Sequence, residues 1–68
     1  MHYLSCVAVD QDRFEWIINE LDIEVVGTEM FGSGTFYQLC GTRSDLVLLA
    51  KLYYLPTTAK SVIEDIRE

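Results

Sequence analysis

Few residues in the chain could do chemistry: one histidine, His2, and two cysteines, Cys6 and Cys40. A nucleophilic cysteine needs a base such as histidine within hydrogen-bond reach. His2 and Cys6 fall on one predicted strand, where four residues span about 13 Å, so they cannot make that contact. The three residues also lack the CxxC spacing of a zinc site. We therefore expect a non-enzymatic protein without catalytic residues, metal or cofactor.

The two cysteines have a simpler interpretation. If the first and third predicted strands pair in a sheet, Cys6 and Cys40 could approach each other, and we expect them to be buried and reduced. The Gly-Ser-Gly sequence at 32–34 does not precede a helix and has no following lysine, so it predicts a turn and no nucleotide-binding loop.

Length and charge restrict the class of the protein. Its 68 residues are expected to form a single compact α+β domain over positions 1–68. The five basic residues are scattered and the formal net charge is −6, which argues against direct nucleic-acid contact. No apolar run reaches the ~18 residues of a membrane span, and a signal-peptide pattern is missing. We expect a soluble, cytoplasmic protein.

Apolar periodicity predicts six elements in the order β-α-β-β-α-α. They are strands over His2–Val9, Ile23–Phe31 and Thr35–Cys40, a helix over Asp10–Asp22, a helix from a cap at Thr42 or Ser44 to about Leu55, and a helix over Ala59–Arg67 capped by Thr57 or Thr58. Asp12 and Glu15 stand at the spacing of a capping box. The first strand is apolar enough for burial on both faces, which a central position in the sheet would explain.

This order predicts a three-stranded antiparallel or mixed sheet with the first and last strands adjacent and the helices on one face. It resembles a ferredoxin-like (split βαβ) fold that lacks its last strand, with a helix in that place. The resemblance concerns element order alone and implies no functional residue.

The negative charge is concentrated in one part of the chain. Asp10–Glu29 contains seven acids and one base, Arg13, and thus carries the whole net charge of −6, whereas the remaining acids and bases cancel. Such a segment either keeps a small protein soluble or steers a basic partner toward it.

Trp16 lies on the polar side of the first predicted helix, roughly 160° from its apolar face. Tryptophan is enriched at binding hot spots. Three interpretations stay open: a cation–π pair with Arg13, cover by the last helix, or a partner site. The predicted partner-binding residues are Trp16, Asp12, Glu15, Asn19 and Glu20.

The helix over 46–55 has one charged residue, Lys51, and is apolar on all sides. One face consists of Leu46, Leu49, Ala50 and Tyr53, and the predicted oligomer interface consists of Val47, Leu48, Tyr54 and Leu55. A helix that is apolar all round must be buried all round. Either the last helix covers the second face, or a second copy covers it in a homodimer.

These features predict a small acidic, regulatory, protein-binding module, an inhibitor that occupies a basic site on a larger nucleic-acid-handling protein, acting as a homodimer. One alternative is a small-molecule sensor that binds a metabolite in a dimer groove lined by Tyr53 or Tyr54. Another is a structural or assembly subunit whose purpose is the apolar helix.

Overall fold

The computed structural model describes all 68 residues, Met1–Glu68. Its elements follow the predicted order: β1 His2–Ala8, α1 Gln11–Glu20, β2 Ile23–Phe31, β3 Gly34–Gly41, α2 Arg43–Tyr53 and α3 Pro56–Glu64. The α+β class is confirmed. None of the three helices has the length and apolar character needed to cross a bilayer.

The three strands form one open sheet in the order β1-β3-β2, with both neighbouring pairs antiparallel. The predicted adjacency of the first and last strands is confirmed. The predicted central position of the first strand is wrong, because β3 lies between the other two. Leu4 and Cys6 of β1 are buried, whereas Tyr3 and Ser5 between them are exposed, so β1 is covered on one face only.

The turn between β2 and β3 contains Gly32 and Ser33. Gly32 is the only residue of the chain with a positive φ, which is 61°. A positive φ at the first central residue alone matches a type II′ turn, whose twist suits an antiparallel hairpin. Gly34 then passes close to β1, where a Cβ atom would lie 2.9 Å from the Ala8 carbonyl oxygen. The predicted hairpin is confirmed.

The core lies between the sheet and helices α1 and α2, while α3 packs against α2. Its buried members are Leu4, Cys6, Ala8, Phe14, Ile17, Ile18, Ile23, Tyr37, Leu39, Leu46 and Leu49. The helical residues recur at spacings of three and four, as the sequence pattern predicted. Only 16 of 68 residues are buried, so one layer of side chains holds the domain together.

Three aromatic rings at the centre of this layer join α1, β3 and α2. The Phe14 ring is fully buried and lies 4.6 Å from the Tyr37 ring and 4.9 Å from the Tyr53 ring, measured between centroids. The contact with Tyr53 is edge-to-face, the arrangement that the ring quadrupoles favour. Phe14 therefore fixes which side of α1 faces the sheet.

The helices begin at different residues from some of those predicted. Asp10 caps α1, since its carboxylate accepts the Arg13 N–H at 3.2 Å, so the capping spacing of Asp12 and Glu15 is not used. Thr42 caps α2 by accepting the Asp45 N–H at 3.2 Å, which settles the choice between Thr42 and Ser44.

The last helix was predicted to start after Thr57 or Thr58 and to run to Arg67, and both ends are wrong. Pro56 is the first residue of α3. Proline suits this position, because the first N–H groups of a helix have no partner within the helix and because the proline ring already holds φ at a helical value. The helix ends at Glu64, and the chain then crosses to the sheet.

The outer edge of β1 is closed by the segment that follows α3. Tyr3 and Arg67 form an antiparallel bridge with two backbone hydrogen bonds of 2.6 and 2.8 Å. The Tyr54 hydroxyl also donates to the Val7 carbonyl oxygen at 2.6 Å. The outer edge of β2 has no such cover.

We predict that Phe14→Ala costs about 3–5 kcal/mol of unfolding free energy, because it removes the ring that links three elements. A loss of that size approaches the whole stability of a domain this small. Trp16→Ala on the same helix should change stability by less than ~0.5 kcal/mol, since that ring is exposed. Urea unfolding followed by circular dichroism measures both, and equal losses would contradict this packing.

Candidate functional site

The outer face of α1 places Trp16 in solvent, with 64% of its surface exposed. The polar neighbours predicted around it, Asp12, Asn19 and Glu20, are exposed as well. Burial of Phe14, Ile17 and Ile18 on the opposite side of α1 leaves the indole no room in the core. The last helix does not cover the indole, so that interpretation is excluded.

The single basic residue of the acidic segment is turned toward α2. The Arg13 guanidinium lies 5.6 Å from the centre of the Tyr53 ring and donates a hydrogen bond to the Leu52 carbonyl oxygen at 2.8 Å. Its cation–π contact is therefore with Tyr53 and not with Trp16, as one sequence interpretation had it. Arg13 therefore holds α1 and α2 together, and it does not neutralise the carboxylates beside Trp16.

Glu15 is the one predicted contact residue that the structure ties to its own chain. Its Oε2 atom accepts hydrogen bonds from Gln11 Nε2 at 2.8 Å and from the Tyr37 hydroxyl at 2.9 Å. The Thr35 hydroxyl donates to Gln11 Oε1 at 3.3 Å and extends the network to β3. These contacts clamp α1 to β3. No local sequence pattern indicates them, because 22 residues separate Glu15 from Tyr37.

The two ends of this clamp keep fixed protonation states near neutral pH. Hydrogen bonds from Gln11 and then Tyr37 lower the pKa of Glu15 below its ordinary value of 4.5. Burial, and then the hydrogen bond to Glu15, raise the pKa of Tyr37 to about 12. A carboxylate and a neutral phenol make a stable charge-assisted hydrogen bond, which suits a positioning role.

The predicted oligomer interface is only partly available in the single chain. Leu48 and Leu55 are exposed and Val47 is half-buried. Tyr54 is half-buried and its hydroxyl is bound to the Val7 carbonyl oxygen. Leu52, which the sequence interpretation did not assign to this face, is exposed one helical turn after Leu48, and the two leucines form an apolar stripe on α2. Leu55 lies beyond the end of α2, at the cap of α3.

Of the two predicted alternatives for the second face of α2, complete cover by the last helix is thus wrong. Helix α3 covers only part of the helix and leaves a groove of about 440 Å³ between the two, lined by Lys51, Pro56, Ala59, Lys60, Ile63 and Glu64.

Tyr53 and Tyr54 border a second groove of about 460 Å³, beside Val9, Arg13 and Leu55. Their hydroxyls already have partners within the chain. The Tyr53 hydroxyl accepts the Asp10 N–H at 2.7 Å and donates to the Asp10 carbonyl oxygen at 3.3 Å. Both tyrosines therefore anchor α2 to the start of α1 and to β1.

The cysteines do not approach each other, although β1 and β3 pair as supposed. Cys6 stands opposite Tyr37 on the helix-covered face, whereas Cys40 stands opposite Tyr3 on the open face. Both are free, Cys6 is buried and Cys40 is half-buried. Burial raises the pKa of the Cys6 thiol, which makes it a poor nucleophile. No group of three potential ligands gathers elsewhere to hold a metal ion.

Comparison of the chain with protein-family models, curated proteins and solved structures found no match in any of the three. What the chain does must therefore be inferred from its own surfaces.

We predict that Glu15→Gln weakens the fold more at pH 7 than at pH 3. Because folding lowers the pKa of Glu15, its carboxylate stabilises the fold above about pH 4.5, and this contribution is lost as the pH falls through the lower folded value. Urea unfolding at both pH values gives the difference between the two proteins.

The matched control is Glu20→Gln, which removes the same charge from an exposed position on the same helix. A stability difference between wild type and Glu15→Gln that stayed constant with pH would show that the carboxylate is not held by Gln11 and Tyr37.

Proposed function

We propose that the protein is a non-enzymatic binding module whose contact surface is the outer face of α1. The observation that carries this proposal is Trp16, a large apolar ring held in solvent among polar residues on a helix whose other side is fully packed. An indole in that position gains most from burial against a partner, because it offers a large apolar area and one N–H donor.

The charge around Trp16 specifies the partner. Asp12 and Glu20 flank the indole, and Arg13 is engaged with α2, so the surface attracts a positively charged site. Glu15 adds negative charge from a fixed position, since its carboxylate is held by Gln11 and Tyr37. Asn19 contributes an uncharged amide that can donate and accept hydrogen bonds.

A basic site large enough to take this helix is typical of proteins that bind nucleic-acid phosphates. Carboxylates that occupy such a site exclude the phosphates by competition. The proposed role is therefore a regulator that inhibits a larger nucleic-acid-handling protein without touching nucleic acid itself.

The apolar stripe of Leu48 and Leu52 on α2, with exposed Leu55 beyond its end, supports a homodimer as the acting form. Acids and bases cancel outside Asp10–Glu29, so two copies can meet through α2 without the repulsion that two acidic faces would suffer. Val47 would lie at the edge of this contact, and Tyr54 would support it from within its own chain.

The fold itself is best described as a shortened ferredoxin-like domain. β1 and β2 run in the same direction with β3 antiparallel between them, which is the split βαβ arrangement. Arg67 pairs antiparallel with Tyr3 on the free side of β1, where a fourth strand of that fold would lie.

We predict that Trp16→Ala abolishes capture of the partner from an extract of the source cells. The expected loss is at least about tenfold in affinity, the scale of a hot-spot tryptophan. Trp16 is the only tryptophan, so its emission should shift to the blue when the purified partner buries the ring. Val9→Ala is the matched control, because it trims an exposed apolar residue that lies outside α1 and outside the proposed dimer contact.

Three outcomes would count against the proposal: equal capture by Trp16→Ala and wild type, an emission spectrum unchanged by the captured protein, or a captured protein without a basic surface. Neutralising Glu20 as Glu20→Gln should weaken capture and reduce its sensitivity to salt.

We also predict that Leu48→Lys keeps the protein monomeric. A dilution series by analytical ultracentrifugation should give a wild-type mass between one and two chains, because the dimer dissociates with dilution. The variant should give one chain throughout, since a lysine opposite its symmetry mate brings two charges into an apolar contact. A wild-type protein that stays single at high concentration would exclude the dimer.

A further inference from the structure

The outer edge of β2 is the one long strand edge that the fold leaves uncovered. β2 has nine residues, and only Ile23 among them is buried. Val25 and Val26 are exposed, Phe31 is 64% exposed and Met30 is 79% exposed. An open edge presents a row of unpaired N–H and C=O groups, which can pair with another extended segment.

The direction of these groups follows from the hairpin. Phe31 and Gly34 close the two-residue turn as a hydrogen-bonded pair, and such pairs alternate with unbonded ones along an antiparallel ladder. Thr28, three residues before Phe31 and opposite Tyr37, is therefore an unbonded position. Its N–H and C=O point away from β3, toward the open edge.

A β-bulge in β2 determines on which face of the sheet the side chains along this edge lie. The register shifts between Val25 and Gly27, so Val26 is the extra residue. Because of this extra residue, Glu24 opposite Cys40 and Glu29 opposite Phe36 lie on the same, open face of the sheet, although five positions separate them. Without the bulge, the alternation of side chains would put them on opposite faces.

The other face of β2 is apolar at the edge. Val25 stands opposite Leu39, and Met30 stands opposite Thr35, both on the side of the sheet that the helices cover. The side chains of Val25 and Met30 are nevertheless exposed, because the helices do not extend over this edge of the sheet. A segment added to β2 would thus meet carboxylates on one face and apolar side chains on the other.

We infer that the β2 edge binds an extended segment of a partner protein in which basic and apolar residues alternate, added as a fourth strand. Main-chain hydrogen bonds supply affinity in this mode, and alternate side chains supply specificity. Lysines or arginines on one face of that segment pair with Glu24 and Glu29, and valine-like residues on its other face pack on Val25 and Met30.

Charge favours this occupant over a second copy of the chain. β2 belongs to the segment that carries the whole net charge of −6, so two β2 strands side by side would bring two such segments together. A basic strand gains from the same field. This surface is separate from Trp16 on α1, and the inference does not depend on the proposed function.

The test uses the full chain and a fluorophore-labelled peptide of about eight residues, a usual strand length, that alternates lysine with valine. Fluorescence anisotropy measures its binding. The decisive variant is Thr28→Pro, which removes an N–H that points to the open edge, a position at which edge strands tolerate proline. Thr28→Val is the matched control, because it keeps that N–H. Circular dichroism establishes that both variants fold.

We expect the peptide to bind wild type and Thr28→Val equally, and Thr28→Pro at least about tenfold more weakly. A peptide with four lysines followed by four valines has the same charge but no alternation. We expect this peptide to bind the wild-type protein no better than it binds Thr28→Pro. Trp16→Ala should leave peptide binding unchanged, which separates this inference from the proposed function.

Two results would overturn the inference. Equal binding to wild type and Thr28→Pro would mean that the peptide attaches through charge alone. A wild-type dimer that becomes monomeric in Thr28→Pro and not in Leu48→Lys would mean that the edge takes a second copy of the chain.

Discussion

The contact of the Phe14 ring with Tyr37 and Tyr53 is the interaction on which the rest of the structure depends. It joins α1, β3 and α2, and it sets the rotation of α1 about its own axis. The hydroxyls of both tyrosines then make hydrogen bonds that secure this rotation, to Glu15 and to the Asp10 backbone. Once Phe14 points inward, Trp16 must point outward, so the most conspicuous surface residue is a result of core packing.

The charge layout and the burial pattern divide the molecule into two surfaces. The acidic elements α1 and β2 carry Trp16 and the open strand edge, and the nearly neutral elements α2 and α3 carry the apolar stripe and a groove. This division is what lets a basic partner and a second copy be assigned to different surfaces. A chain with its acids spread evenly would offer no such distinction.

The elements that follow from local pattern could be predicted from the sequence, and those that depend on distant contacts could not. The apolar spacing of Phe14, Ile17 and Ile18 predicted the buried face of α1, and the glycines of the turn predicted the hairpin. The apolar composition of β1 did not reveal that the strand lies at an edge of the sheet. Helices cover one face of β1 and Tyr54 covers part of its edge, so the strand is as apolar as a central strand would be. The predicted start of the last helix at Ala59 misses Pro56, although a proline suits the first turn of a helix.

The site could be predicted only in part, for the same reason. Helical spacing placed Trp16 among polar neighbours, but the Glu15–Tyr37 clamp joins residues 22 positions apart and leaves no local pattern. The bulge in β2 does have a local sequence sign, because a glycine inside a strand, here Gly27, often marks a bulge.

The position of β3 in the middle of the sheet has a consequence for how the chain assembles. β1 and β2 share no ladder, so neither has a strand neighbour until β3 is in place. The β2–β3 hairpin needs only a two-residue turn, whereas β1 must close a loop that includes all of α1. Because short loops close at lower entropic cost, we expect the hairpin to form first and to serve as the template onto which the amino-terminal strand docks.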